Sequence, residues 1–289
     1  MRAGISASKR SLLMDIHENN TDYEFKTYGM YSVSRYLNRE YNGPVIQAYK
    51  DSNGATQDMS LTDIEDGTLT TFGGGGKVRV KILYDQSGNG NDASQTSRFN
   101  MPEIVNSSGT LQTCNGRPAM DFDGANDFMP LNSALPDIDT GNCSSFCIGN
   151  YDTTNMSPAE MMLSLGWTSN SARWYAPFNG NYAAGDLIYG YNAVWNEQHV
   201  AFESTAVHLF CAIAGTNQGN WTCFLDGDSK GTATRSSRAS AGTYGIGGAN
   251  NTTSYALDGK VSEVLVFEGD CSTTRSDIEK NINDYFDIY

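Results

Sequence analysis

Leu83-Tyr-Asp-Gln-Ser-Gly-Asn-Gly-Asn-Asp-Ala-Ser-Gln95 is the stretch on which the reading of the fold turns. Just before it, Val78, Val80 and Ile82 alternate with Arg79, Lys81 and Leu83. That is the period-two pattern of a strand with one buried face. From Asp85 to Asp92 the chain is then made largely of Asp, Asn, Ser and Gly. Gly88 and Gly90 are free to take positive φ, and Asp and Asn side chains close turns onto their own backbone. A core strand therefore runs into a tight, hydrogen-bonded loop. Asp85, Ser87, Asn89 and Asn91 alternate with Gly90 in sixth place, as at the start of a calcium loop. Thr96, however, stands where that loop needs a bidentate Glu, and a strand leads in rather than a helix. The stretch is compatible with a structural turn and with a Ca2+ site ligated by those four residues; no other cofactor is suggested.

Outward from this loop, turn signals recur at short intervals. Val45 to Lys50 reads as a strand and Asp51-Ser52-Asn53-Gly54 as a hairpin turn. Asp58 to Gly67 reads as loop with a short helical turn. Gly73 to Gly76 lacks the Lys-Ser or Lys-Thr and the following helix of a phosphate loop. Strands are expected over Pro118–Phe122, Ser144–Tyr151, Glu160–Trp167, His208–Ala214, Trp221–Leu225, Lys230–Thr234, Tyr244–Gly248 and Leu257–Phe267. Val264 to Phe267 is continuously apolar, as in a strand covered on both faces. Two helices are expected. In Tyr28–Tyr41, Met30, Val33, Leu37 and Tyr41 share a face. After a Thr274/Asp277 capping box, Ile278, Ile282, Tyr285 and Phe286 do the same. No 20-to-50-residue period repeats, which excludes a solenoid or propeller.

The composition agrees with an all-β protein. Of 289 residues, 30 are Gly and 16 Tyr, which suits short strands joined by turns. A net charge of −14 argues against a nucleic-acid partner, since phosphate binding needs Lys and Arg clusters. No apolar run nears the roughly 20 residues that span a bilayer, so no membrane insertion is expected. After Arg2, Lys9 and Arg10 only Leu12, Leu13 and Met14 form an apolar run, too short for a secretory signal. Folding in a cytoplasm and free buried thiols for all six cysteines are the expectation. A Cys211–Cys223 disulfide across a hairpin is the alternative. Residues 1–26 are polar with a basic start, either a frayed terminus or an arm in which Arg2, Lys9 and Arg10 dock on a neighbouring subunit.

Several longer strings carry a resemblance. They are Tyr31-Ser-Val-Ser-Arg-Tyr-Leu-Asn-Arg-Glu-Tyr-Asn-Gly-Pro44, Asp51-Ser-Asn-Gly-Ala-Thr-Gln-Asp58, the Tyr84-Asp-Gln-Ser-Gly-Asn-Gly-Asn91 loop, and Asn115-Gly-Arg-Pro-Ala-Met-Asp-Phe-Asp-Gly-Ala-Asn-Asp127. The series resembles laminin-G-like, concanavalin-A-like jelly-roll proteins, particularly those of tailed-phage structural genes. Its first half is also similar to the catalytic domain of fungal arabinofuranosidase B. The resemblance implies a jelly-roll β-sandwich of two antiparallel sheets over residues 27–289, preceded by the 1–26 arm and closed by the C-terminal helix. It further implies a non-catalytic virion protein, a capsid decoration or a fibre or tail module on the particle surface. Its partners would be other virion proteins, copies of itself and a host glycan. Host-adsorption glycan binding and arabinofuranosidase-like hydrolysis are the alternatives.

Glycosidases need two carboxylates across the sugar, and no strand here carries a Glu-x-Asp-x-x-Glu triplet. Aligned by the arabinofuranosidase resemblance, Met161 and Met162 replace paired cysteines and Ser169 stands in for a catalytic Glu, which implies that this route of catalysis is lost. Asp186, Glu197 and Glu203 remain unassigned acids. His17, His199 and His208 are isolated, and no Gly-x-Ser-x-Gly frames a nucleophile. Aromatics crowd one segment, with Trp167, Trp174, Tyr175, Tyr189 and Trp195 set among Asn and Gly. They are candidates for stacking on sugar rings, and equally for filling the sandwich core or an interface.

Overall fold

The structure is a computed structural model that describes residues 27–131, 143–152, 160–167, 175–179, 186–191, 196–201, 205–214, 220–234, 243–248 and 255–289. The first half runs β1 Thr27–Ser32, β2 Ile46–Lys50, β3 Thr56–Met59, α1 Leu61–Glu65, α2 Thr68–Gly73, β4 Val78–Leu83, β5 Ala93–Ser94, a 3-10 turn Arg98–Asn100, β6 Glu103–Val105, β7 Thr113–Cys114, β8 Arg117–Pro118, β9 Met120–Asp123 and β10 Met129–Pro130. The second runs β11 Cys143–Tyr151, β12 Glu160–Trp167, β13 Tyr175–Asn179, β14 Asp186–Tyr191, β15 Asn196–Ala201, β16 His208–Ala214, β17 Asn220–Leu225, β18 Asp228–Thr234, β19 Thr243–Ile246, β20 Asp258–Glu268 and α3 Arg275–Phe286.

Two antiparallel sheets make the sandwich. The larger is ordered β18-β17-β16-β11-β20-β9-β6-β4-β2-β3, with β1 beside β20 and β5 beside β4. The smaller is ordered β10-β19-β12-β13-β14-β15. This is the all-β fold expected from the sequence. Between the sheets, Cys147, Tyr151, Phe210, Val264 and Val266 of the larger pack with Met162, Leu163, Leu165, Tyr244 and Ile246 of the smaller. A second cluster forms on the outer face of the larger sheet, where Phe146, Ile148, Leu209, Leu265 and Phe267 meet Ile278, Ile282 and Phe286 of α3. Each fully buried side chain of this size stabilises by roughly 1.5–3 kcal/mol. Alternate residues of β20 therefore face two different cores, which explains its unbroken apolar run. Gly149 lies where β11 bulges against β20; a Cβ there would collide with the Lys260 carbonyl.

Two local expectations are corrected, for Tyr28–Tyr41 and for the Thr274 cap, while the free buried thiols expected at Cys211 and Cys223 are present. Tyr28–Tyr41 is not a helix: its first five residues belong to β1, hydrogen-bonded to β20 and buried. The three-and-four spacing there arose from a strand covered on both faces, followed by an irregular loop. That loop is anchored by Arg35, which donates to both Glu263 oxygens at 2.7 and 2.6 Å and to Asn281 Oδ1 at 2.8 Å. Thr274 begins α3, yet its side chain makes no cap bond to the helix and instead donates to the Cys271 carbonyl. Cys211 and Cys223 are free, buried thiols: Cys223 is in register with Ala212, so the two sulfurs point to opposite faces and join different cores. Gly73 closes α2, and Gly74 caps it at positive φ.

Candidate functional site

The Asp85 loop is a clamp between strands. Asp85 Oδ1 accepts from the Met30 N–H at 3.0 Å and the Ser87 N–H at 2.9 Å. Its Oδ2 accepts from Ser87 Oγ at 2.7 Å and the Asn91 N–H at 3.1 Å. Asn91 Nδ2 donates to the Tyr28 carbonyl at 2.6 Å, and Asn89 Nδ2 donates to the Thr27 carbonyl. Gly88 and Gly90 hold φ of 89° and 72°. The four residues proposed as calcium ligands thus spend their polar groups in pinning β1 to the end of β4, and Asp85 has its lone pairs facing N–H and O–H donors. Among the described residues no group of three or more His, Cys, Asp or Glu is arranged to hold a metal.

Of the aromatic candidates, Trp167 ends β12, Tyr175 begins β13 and Tyr189 lies within β14, all in the smaller sheet. Trp174, Trp195, Ser169 and the acid Glu203 lie outside the described residues, as do Arg2, Lys9 and Arg10 of the arm. Asp186 opens β14 and Glu197 is the second residue of β15. His208 is buried, with Nδ1 2.6 Å from Asp226 Oδ2.

What the fold does assemble is a set of carboxylates at one end of the sandwich, where the sheets meet. Asp123, the last residue of β9, is in register with Asp258, the first of β20. The Asp152 N–H, just past β11, donates to the Asp258 carbonyl at 2.8 Å. Glu160, the first residue of β12, crosses from the other sheet, and its Oε2 accepts from the Asp258 N–H at 3.0 Å. Asp127 folds back so that its Oδ2 accepts from the Asp123 N–H at 3.2 Å. Its buried Oδ1 has no hydrogen-bond partner. Lys260 supplies the positive charge, 2.8 Å from Asp152 Oδ2 and 3.4 Å from Asp121 Oδ1.

These surroundings shift the acids. Burial pushes the Glu160 carboxyl up to about 7; the Asp258 N–H offsets part of this, and the Asp258 and Asp152 charges add to it. Burial, with the Asp123 charge, pushes Asp127 up to about 8. Burial also raises Asp258 and Asp121. For Lys260 burial acts downward, but its hydrogen bond to Asp152 and the charges of Asp121 and Asp152 raise it overall. An acid whose proton is held up to about pH 7 is what proton-donor catalysis near neutrality needs. Sequence reasoning missed this set because its members come from four strand ends; the Asp-rich turn at 123–127 was the visible part.

No protein-family model matches the chain. A 103-residue stretch is 32% identical to alpha-L-arabinofuranosidase B of Emericella nidulans, covering 31% of this chain and 20% of that protein. In fold, 93% of the chain superposes on 64% of an arabinofuranosidase solved with arabinofuranosyl-alpha-1,2-xylobiose, with a TM-score of 0.71 at 15% identity. Domain 4 of AbnA, an extracellular arabinanase of Geobacillus stearothermophilus solved with arabinotriose, matches 89% of this chain over 99% of its own length, with a TM-score of 0.52 at 13% identity. The chain thus spans about a fifth of its curated relative and less than two thirds of the solved arabinofuranosidase. These likenesses overturn the expectation of a non-catalytic virion protein: they run to arabinofuranosidases and to a sugar-complexed domain of an arabinanase.

Proposed function

We propose that this chain is a glycoside hydrolase acting on α-L-arabinofuranosides, with Glu160 as the proton donor. What supports the substrate class most is the likeness to arabinofuranosidases in sequence over 103 residues and in fold over 93% of the chain. What supports the role of Glu160 is its place at the junction of the sheets, buried, hydrogen-bonded by Asp258 N and flanked by Asp152 and Asp258. Hydrolysis needs a second carboxylate, about 5 Å from the donor for retention or about 6.5–9.5 Å for inversion. Asp152 and Asp258 are the nearest candidates, with Asp186 and Glu197 to be tested beside them. Turnover of 4-nitrophenyl α-L-arabinofuranoside by the folded chain, lost in Glu160→Gln, is the expected result. Concentrated, folded protein that leaves a panel of aryl arabinofuranosides intact refutes the reading.

A second reading, sugar binding without hydrolysis, is favoured by the arabinanase domain, because this chain covers nearly all of that domain's length. It predicts calorimetric binding of arabinotriose by protein that shows no turnover.

A further inference from the structure

Left-handed backbone discriminates sharply among residue types. Among the described residues thirteen glycines take positive φ, and four other residues do: Asn115, Asp226, Asp287 and Tyr255. Asn and Asp enter this region readily, because a short polar side chain bonds locally, whereas a bulky residue there is a true outlier. Tyr255, at φ 71°, is that outlier. Strain of this kind persists only where the surrounding structure over-determines it, and it gathers at functional sites.

The surroundings here are those of Glu160. Tyr255 is bridged to Glu160, backbone to backbone and in parallel. Strand neighbours lie about 4.8 Å apart, so the two side chains start from adjacent points. Three residues on, the Asp258 N–H donates to Glu160 Oε2 at 3.0 Å. Between them, the Leu257 N–H donates to the Gly247 carbonyl at 3.1 Å, and the Gly124 N–H donates to the Leu257 carbonyl at 2.8 Å. Gly247 follows β19 of the smaller sheet and Gly124 follows β9 of the larger. The 255–258 crossing thus grips Glu160 twice and is itself fixed to both sheets. Gly124 and Gly247 also take positive φ, and a Cβ at either would collide, with the Asp258 side chain and the Phe122 ring respectively. At 255 the chain has tyrosine instead, half-buried where the following Ala256 and Leu257 are buried. The turn alone does not explain it, since glycine or asparagine makes the same turn at lower cost. What tyrosine adds is a ring with an apolar face and a hydroxyl tip, which suits the C–H face and the hydroxyls of a sugar.

We propose that Tyr255 is a substrate-contacting residue, its ring the wall against which a neutral arabinose unit is held beside Glu160. This rests on the reading of the site as a sugar site, and it holds for binding without hydrolysis as well as for hydrolysis. The test is calorimetry with arabinotriose on the Glu160→Gln chain, alone and with Tyr255→Phe, Tyr255→Ala or Tyr255→Gly, and thermal unfolding of each. Ala and Gly both remove the ring, and only Gly removes the cost of positive φ, so Tyr255→Gly melts above Tyr255→Ala. Both weaken arabinotriose binding about tenfold or more, while Tyr255→Phe, which keeps the ring face, stays within about threefold of the parent. A Gly variant that binds as the parent does, a Phe variant as weak as the Ala variant, or a parent that binds no arabinotriose overturns the proposal. A Gly variant that melts below the Ala variant overturns it too, because there is then no strain to account for. Every chain in the series carries Glu160→Gln, so turnover does not enter the result. Aryl arabinofuranosides left intact by the unsubstituted chain, with ring-dependent arabinotriose binding retained, remove hydrolysis and leave the contact standing.

Discussion

Replacing Asp85 by Ala is expected to be among the most damaging single changes to the fold. Its carboxylate accepts four hydrogen bonds and is 4% exposed. The two Ser87 donors sit nearer the surface and find water once the carboxylate is gone. The Met30 and Asn91 N–H groups are buried and do not. Leaving a buried donor unmade costs about 1–3 kcal/mol, so two cost about 2–6 kcal/mol. At roughly 2–4 °C per kcal/mol for a chain of this size, a central loss of about 4 kcal/mol lowers Tm by about 8–16 °C. Asp85→Asn keeps one acceptor oxygen and turns an NH2 toward existing donors, so roughly half the loss or more is expected. Urea denaturation followed by tryptophan fluorescence gives the free energies, and Tm in Ca2+ against Tm in chelator gives the control. A loss below about 1 kcal/mol for Asp85→Ala refutes the clamp. A Ca2+-dependent rise in Tm means instead that the carboxylate ligates a cation.

Other predictions concern titration and burial. If Glu160 donates the proton, kcat/KM falls as pH rises through about 7, and the activity that remains in Glu160→Gln has lost that limb; a profile flat from pH 5 to 8 removes the assignment. Asp127 is raised from 3.8 to about 8, so the folded state holds a proton that the unfolded state releases, and stability falls as pH climbs between those values. Asp127→Asn therefore gains stability over the parent as pH goes from 4 to 8, up to about 5 kcal/mol, and an advantage that shrinks with pH contradicts this. Arg35→Met leaves Glu263, buried at 1% exposure, without its bidentate partner and is expected to cost about 3–5 kcal/mol in urea denaturation; a cost under about 1 kcal/mol shows that the pair is replaceable.

Much of the fold was legible because its signals are local. The alternation from Val78 to Lys81, the Asp51–Gly54 turn, the apolar run 264–267 and the amphipathic 275–286 helix each depend on near neighbours in sequence, whereas past Lys81 the expected period breaks and Leu83, not Ile82, enters the core. The Tyr28–Tyr41 error has the opposite origin. Strand β1 takes its conformation from β20, more than 230 residues away, and a segment buried on both faces loses the period that would reveal it. The candidate site failed to show for a similar reason. Glu160, Asp152, Asp258 and Asp127 carry no common motif, and only the junction of the two sheets makes them neighbours. The Asp85 loop, by contrast, was conspicuous in sequence for its turn chemistry and proved to be architecture.

The position of β20 has a consequence for how the molecule comes into being. It is the last strand in chain order, yet it lies in the interior of the larger sheet, between β11 on one side and β9 and β1 on the other. A ribosome that has made the first 250 residues has made two half-sheets with a missing seam, each with an open edge. Closure waits for residues 258–268, so the nascent chain cannot finish its sheet piece by piece as it emerges. Translation stalled short of β20 leaves a product poised for edge-to-edge aggregation, and supplying the 255–289 segment in trans is the direct way to ask whether that seam can be closed afterwards.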